Sequence, residues 1–218
     1  MPHLKWCGWL LMAVLAAAGL RPAQAAGDPT RRDWQVSLYV GQFLKGTLLE
    51  LPSQFVQGEL GFRSATFFQL DLGYTPFKFD LPIPFCTGCA LRNNQFELHA
   101  AVGQYAGRQT NAELGAYFMF RTGQIGPRTG LQANIAAGWG ISYATGTTGL
   151  EVGRTDIQGV DTYRTQFQVP IEVEWWHPNL RSVSIVLPRI HHRSGGYGAL
   201  AAYGSGSNFI GGSLRLSW

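Results

Sequence analysis

"QFQVPIEVEWWH", residues 166–177, is the stretch on which the architecture turns. Phe167, Val169, Ile171, Val173 and Trp175 fall on one face of an extended chain, and Gln166, Gln168, Glu172 and Glu174 on the other. A period of two marks a strand whose faces meet different surroundings. A soluble sandwich would bury the apolar face in protein. A membrane barrel would turn that face to hydrocarbon and line its interior with the polar one.

The same alternation recurs along the chain. Trp34, Val36, Leu38 and Val40 oppose Gln35, Ser37 and Tyr39. Phe68, Leu70, Leu72 and Tyr74 oppose Gln69 and Asp71. Phe96, Leu98, Ala100 and Val102 oppose Glu97 and His99, and Leu114, Ala116, Phe118 and Phe120 oppose Glu113, Tyr117 and Arg121. Residues 131–143 alternate likewise, "SVSIVLPRIHH" (182–192) is the seventh such run, and "NFIGGSLRLSW" (208–218) is the eighth. The charges on these runs sit on the polar face. In a sandwich, burying so many would be costly unless they were paired; across a narrow lumen, acids and bases can pair. Aromatics gather at strand ends (Trp34, Tyr74, Tyr143, Trp175, Trp176, Trp218), as interfacial girdles do. The pattern predicts an all-β fold, an eight-stranded antiparallel transmembrane β-barrel.

The 218-residue chain begins "MPHLKWCGWLLMAVLAAAGLRPAQA". Lys5, an apolar run from Trp9 to Leu20 and Ala23-Gln24-Ala25 predict a cleaved signal peptide over residues 1–25 and one barrel domain over 26–218. Loss of Lys5 and Arg21 lowers the net charge from +4 to +2, a balance that does not argue for nucleic acid. Cys86 and Cys89 remain, in "FCTGC"; in an exported chain the plain expectation is a local disulfide. A zinc site would need two further ligands nearby and none is evident, so neither metal nor cofactor is expected.

With both termini on the periplasmic side, the seventh strand ends at the outer leaflet. There "RIHHRSGGYG" (189–198) brings together two histidines, a serine and a glycine pair. His192 and Ser194 lie two apart and share a face if the strand persists. A serine hydroxyl becomes a nucleophile when an imidazole takes its proton. Backbone N–H groups of Gly195 and Gly196 could serve as an oxyanion hole. Arg164, Arg189 and Arg193, with Arg63, Arg108 and Arg154, are expected near the same rim, where lipid A phosphates of lipopolysaccharide offer a partner. The phase is open. Val183, Ile185 and Leu187 set the lipid face, and unbroken alternation from them assigns His191 outward and His192 inward; a bulge at Pro188 would reverse that.

Residues 182–218 resemble the outer-membrane lipid A deacylases, the PagL-like acyloxyacyl hydrolases. The resemblance rests on His192-Arg193-Ser194, which matches a His-x-Ser element near the end of the seventh strand, and on "GSNFIGGSLRLSW" as the final strand. It implies a bacterial outer-membrane barrel that removes an acyl chain from lipid A, with Ser194 as nucleophile and His192 as base. A non-catalytic barrel of the same ancestry, structural or lipopolysaccharide-binding, is the alternative. Two departures stand out. Gly195 follows the serine where the family usually has asparagine, and "GGYGALAAYGSGSNF" (195–209) holds no Asp or Glu where the family acid is expected. Glu151, Asp156, Asp161 or His191 would have to replace that acid.

Overall fold

The computed structural model describes residues 33–82, 90–108, 110–125, 130–146, 163–180, 182–201 and 205–218. The expected leader, Cys86 and Cys89 lie outside these residues, as do Arg154, Glu151, Asp156 and Asp161. The elements are β1 (Trp34–Leu44), α1 (Leu51–Gln57), β2 (Phe62–Pro82), β3 (Ala90–Gly107), β4 (Ala112–Arg121), β5 (Gln132–Ala144), β6 (Thr165–Trp176), β7 (Val183–Ser194) and β8 (Gly206–Ser217). Each strand pairs antiparallel with its neighbour, and β8 closes on β1, giving the eight-stranded barrel that the alternation predicts. Closure leaves no sheet edge unpaired, as hydrocarbon requires.

The two faces separate as the sequence pattern anticipates. Leu38, Leu72, Leu98, Phe118, Ile135, Trp139, Ile185 and Leu214 are exposed on the outer wall. Trp34, Tyr74, Trp175 and Trp218 are exposed around the end that carries the termini, with the rings of Trp34 and Tyr74 4.7 Å apart. Such a surface is stable against lipid and unstable against water. The long β1–β2 and β7–β8 connections lie at the opposite end, which is the arrangement of an extracellular rim.

The lumen is solid. Nearest the termini, Arg121 donates to Glu97 (Nε–Oε1 2.6 Å), Glu172 (2.6 Å) and Glu174 (3.0 Å), and Arg215 pairs with Glu172 (2.5 Å) and Glu174 (3.2 Å). Midway, Arg189 donates to Asp71 (2.8 Å) and to the Tyr117 hydroxyl (2.9 Å), while His99 Nδ1 lies 2.7 Å from Asp71. Toward the rim, His191 and Arg193 both reach Glu113, at 3.2 and 3.4 Å, and the Tyr105 hydroxyl donates to the same carboxylate. At that level Phe43, Phe67, Tyr105 and Phe209 pack with Tyr39 into an aromatic plug, and the His191 ring lies 4.5 Å from Phe67. The arginines and these aromatics are less than 2% exposed, so side chains and not water fill the interior. Pairing is what makes so many buried charges tolerable.

One strand pair runs further than the alternation suggests. β2 and β3 continue beyond the wall, pairing Phe77 with Phe96 and Phe79 with Asn94, after a register shift between Tyr74 and Phe77. Pro76 falls inside the shift and Pro82 at the strand end, where a missing N–H breaks no ladder.

Candidate active site

Pro188 decides which way the end of β7 faces. Val186 pairs with Ser213 and Arg189 with Gly211, so two residues of β7 stand opposite one of β8; against β6, Glu174 pairs with Val186 and Glu172 with Arg189, the same excess of one. This is a β-bulge, and it shifts the alternation by one residue. Ser184 and Val186 point inward before it; Leu187 and Pro188 are both exposed; Arg189, His191 and Arg193 point inward after it. A bulge in a lipid-facing wall leaves backbone groups without partners, which hydrocarbon penalises. Both are dealt with here: proline brings no N–H, and the Trp175 indole N–H donates to the Leu187 carbonyl at 2.8 Å.

The bulge corrects the assignment made by unbroken alternation. His191 faces the lumen and is tied to Glu113, so it cannot assist a serine on the opposite face. His192 and Ser194 face outward together, half-buried. Arg189 and Arg193 are corrected as well. Expected at phosphates, they are buried inside the barrel, Arg189 on Asp71 and Arg193 on Glu113, Ser142 and the Arg164 carbonyl. Parity, not proximity to the rim in sequence, governs where an arginine goes. Arg164 itself is exposed at the start of β6.

Ser194 pairs across β6 with Phe167, and His192 with Val169. Phe167 stacks on Trp139 with ring centroids 5.0 Å apart, so the wall beside the serine is aromatic and apolar. The Gly196 N–H donates to Ser194 Oγ at 3.1 Å. Gly196 has φ +64°, and a Cβ there would meet Phe167 Cε2 at 2.3 Å; only glycine fits between that ring and the hydroxyl. Of the two backbone donors expected as an oxyanion hole, Gly195 is otherwise engaged, bonded to the Ser205 carbonyl at 3.3 Å. Gly196 alone addresses the serine.

Behind His192 stands a residue that a search for carboxylates passes over. Asn208, its registered partner on β8, places Oδ1 2.5 Å from His192 Nδ1. Asn208 Nδ2 donates in turn to the Gly46 carbonyl at 2.7 Å. Asn208 is on the outward face of β8, yet fully buried, because the β1–β2 connection crosses it. Ser194, His192 and Asn208 therefore line up along the outer wall at the rim; exposed Lys45 follows Leu44, the β1 residue paired with Asn208, and exposed Arg164 lies at the β6 end.

No protein family matches the sequence, and neither does any curated protein. Solved structures do match. The crystal structure of the outer membrane enzyme PagL is similar with a TM-score of 0.53 at 16% identity, over 84% of this chain and 99% of that one. The fold is that of an outer-membrane barrel. The crystal structure of Neisserial surface protein A (NspA) gives a TM-score of 0.45 at 8% identity, over 85% of this chain and 97% of that one. With the apolar belt of its own wall, the barrel fold locates the chain in the bacterial outer membrane.

Proposed function

We propose that this barrel hydrolyses an acyl ester of lipid A in the outer leaflet, with Ser194 as nucleophile and His192 as general base. The observation that carries the reading is the bulge at Pro188, which turns Ser194 and His192 together onto the lipid-facing wall at the rim. A lipid ester reaches that face by lateral movement, and an acyl chain would lie along Phe167, Val169 and Trp139. Lys45 and Arg164, on either side, suit the phosphates of an anionic headgroup. The likeness of residues 182–218 to the lipid A deacylases supports the same substrate class.

In the reaction, Ser194 Oγ attacks the ester carbonyl as its proton passes to His192 Nε2. The tetrahedral oxyanion collapses, the C–O bond to the lipid breaks, and the proton moves from the imidazole to the departing lipid hydroxyl. Water, activated by the same imidazole, then cleaves the acyl-serine and releases a fatty acid. The Gly196 N–H, already at the nucleophile, is the donor nearest to where the oxyanion forms.

Expression in bacterial outer membranes, with lipid A read by mass spectrometry, tests this. The expected result is loss of one acyl chain with the wild-type chain and none with Ser194→Ala or His192→Ala; for a serine hydrolase, loss of either group lowers kcat by ~10⁶. Unchanged lipid A beside a folded wild-type barrel overturns it. That outcome is what a non-catalytic, lipopolysaccharide-binding barrel predicts, a second reading favoured by the commitment of the Gly195 N–H to Ser205. Gly196→Ala tests the donor: its Cβ displaces either Phe167 or the turn, and deacylation should fall by about 100-fold in a barrel that still folds.

A further inference from the structure

The missing acid has a replacement of a particular chemical type. We propose that Asn208 is the positioning residue for His192, and that an amide stands there because its two neighbours demand opposite things. On one side is a ring nitrogen, His192 Nδ1, 2.5 Å from Oδ1; on the other is a carbonyl, Gly46, 2.7 Å from Nδ2. A carbonyl can only accept, so the amide must present its NH₂ to Gly46. That fixes the amide's orientation without reference to the histidine. Oδ1 is then the atom facing Nδ1, and an acceptor there requires Nδ1 to carry the proton. Nε2 is left unprotonated, the form needed to take a proton from Ser194. A carboxylate could accept from His192 but would set a second acceptor against the Gly46 carbonyl.

The Gly46 carbonyl is itself held in place. Gly46 has φ +102°, and a Cβ on it would meet Gln54 Nε2 at 2.6 Å, so the α1 side chain packs directly against that turn. The orientation of the imidazole on β7 is therefore set, through Asn208 on β8, by the connection that follows β1. For its consequence in catalysis this inference rests on the esterase reading above; for its structural content it does not.

The experiment compares Asn208→Ala and Asn208→Asp with the wild-type barrel folded in detergent micelles. The first readout is the imidazole ¹⁵N spectrum of His192, assigned with His192→Gln, at a pH where the ring is neutral. The wild type and Asn208→Asp should show Nδ1 protonated, and Asn208→Ala should lose that preference. The second readout is deacylation kinetics. Asn208→Ala should lower kcat about 100-fold with KM nearly unchanged, and Asn208→Asp should return to within about tenfold of wild type because it still accepts from Nδ1. A role confined to tying β8 to the β1–β2 connection predicts the reverse, with aspartate no better than alanine, since a carboxylate cannot donate to Gly46. That result, or an Nε2-protonated wild type, overturns the proposal. If wild-type lipid A stays intact, the esterase reading fails, while the ¹⁵N spectrum still decides for or against Asn208.

Discussion

A chain lacking Pro188 is expected to yield no folded barrel. The deletion removes the extra residue of the bulge and restores unbroken alternation from Val183 to Ser194. If the first half of β7 keeps its phase, Arg189, His191 and Arg193 turn to hydrocarbon. An arginine on the lipid face destabilises a barrel by about 2–4 kcal/mol at the bilayer midplane and less toward the interface. Asp71 and Glu113 lose arginine partners in the lumen at the same time, and breaking a buried pair typically costs about 3–5 kcal/mol. Together these exceed much of a typical folding free energy of about 5–15 kcal/mol. The check is the heat-modifiable band on a gel, which should vanish. Pro188→Ala is the control, because it keeps the residue count of the bulge and so the register. It should still give a heat-modifiable band. A normal band from the deletion variant would show that the bulge does not set the phase.

Glu172→Ala is expected to destabilise the barrel by about 3–5 kcal/mol, the range for removing one partner from a buried ionic network. Glu172 is fully buried, and its carboxylate lies 2.6 Å from Arg121, 2.5 Å from Arg215 and 3.7 Å from Arg189. No other carboxylate among the described residues is shared by three arginines. Alanine leaves three guanidinium groups with less compensation in a space that water does not reach. Urea titration of the barrel in lipid vesicles measures the loss. Lys78→Ala supplies the contrast. Its 3.3 Å pair with Asp33 is partly solvated, with side chains 27% and 64% exposed, and pairs of that kind contribute at most about 1 kcal/mol. Equal effects from the two substitutions would mean that the lumen is hydrated.

The barrel was legible because period-two alternation is a local signal that closure leaves intact. Gln166, Gln168, Glu172 and Glu174 all point inward, and Phe167, Val169, Ile171 and Trp175 outward, as their spacing requires. The candidate site was less legible, for three distinct physical reasons. The phase after Pro188 depended on whether the strand absorbed the proline as a bulge. Sequence names the proline but not the outcome, which the Trp175 indole on another strand helps to stabilise. Arg189 and Arg193 looked like rim residues because of their place in the chain; once the phase changes, the lumen's carboxylates claim them. Asn208 was hidden by chemistry. A search for an acid overlooks an amide, and the reason for an amide lies in a carbonyl 162 residues away in the chain. The signal that could have found it is geometric: β7 and β8 form a hairpin, so some residue of β8 must stand beside His192.

The aromatic plug carries a consequence for traffic. With Phe43, Phe67, Tyr105 and Phe209 closing the bore and ion pairs filling the rest, no solute passes along the axis, and nothing delivered from the periplasm can reach the rim by that route. Whatever this molecule meets must arrive sideways, within the plane of the leaflet or from the medium above it. For a lipid, that encounter is a two-dimensional search, governed by lipid packing rather than by a gate.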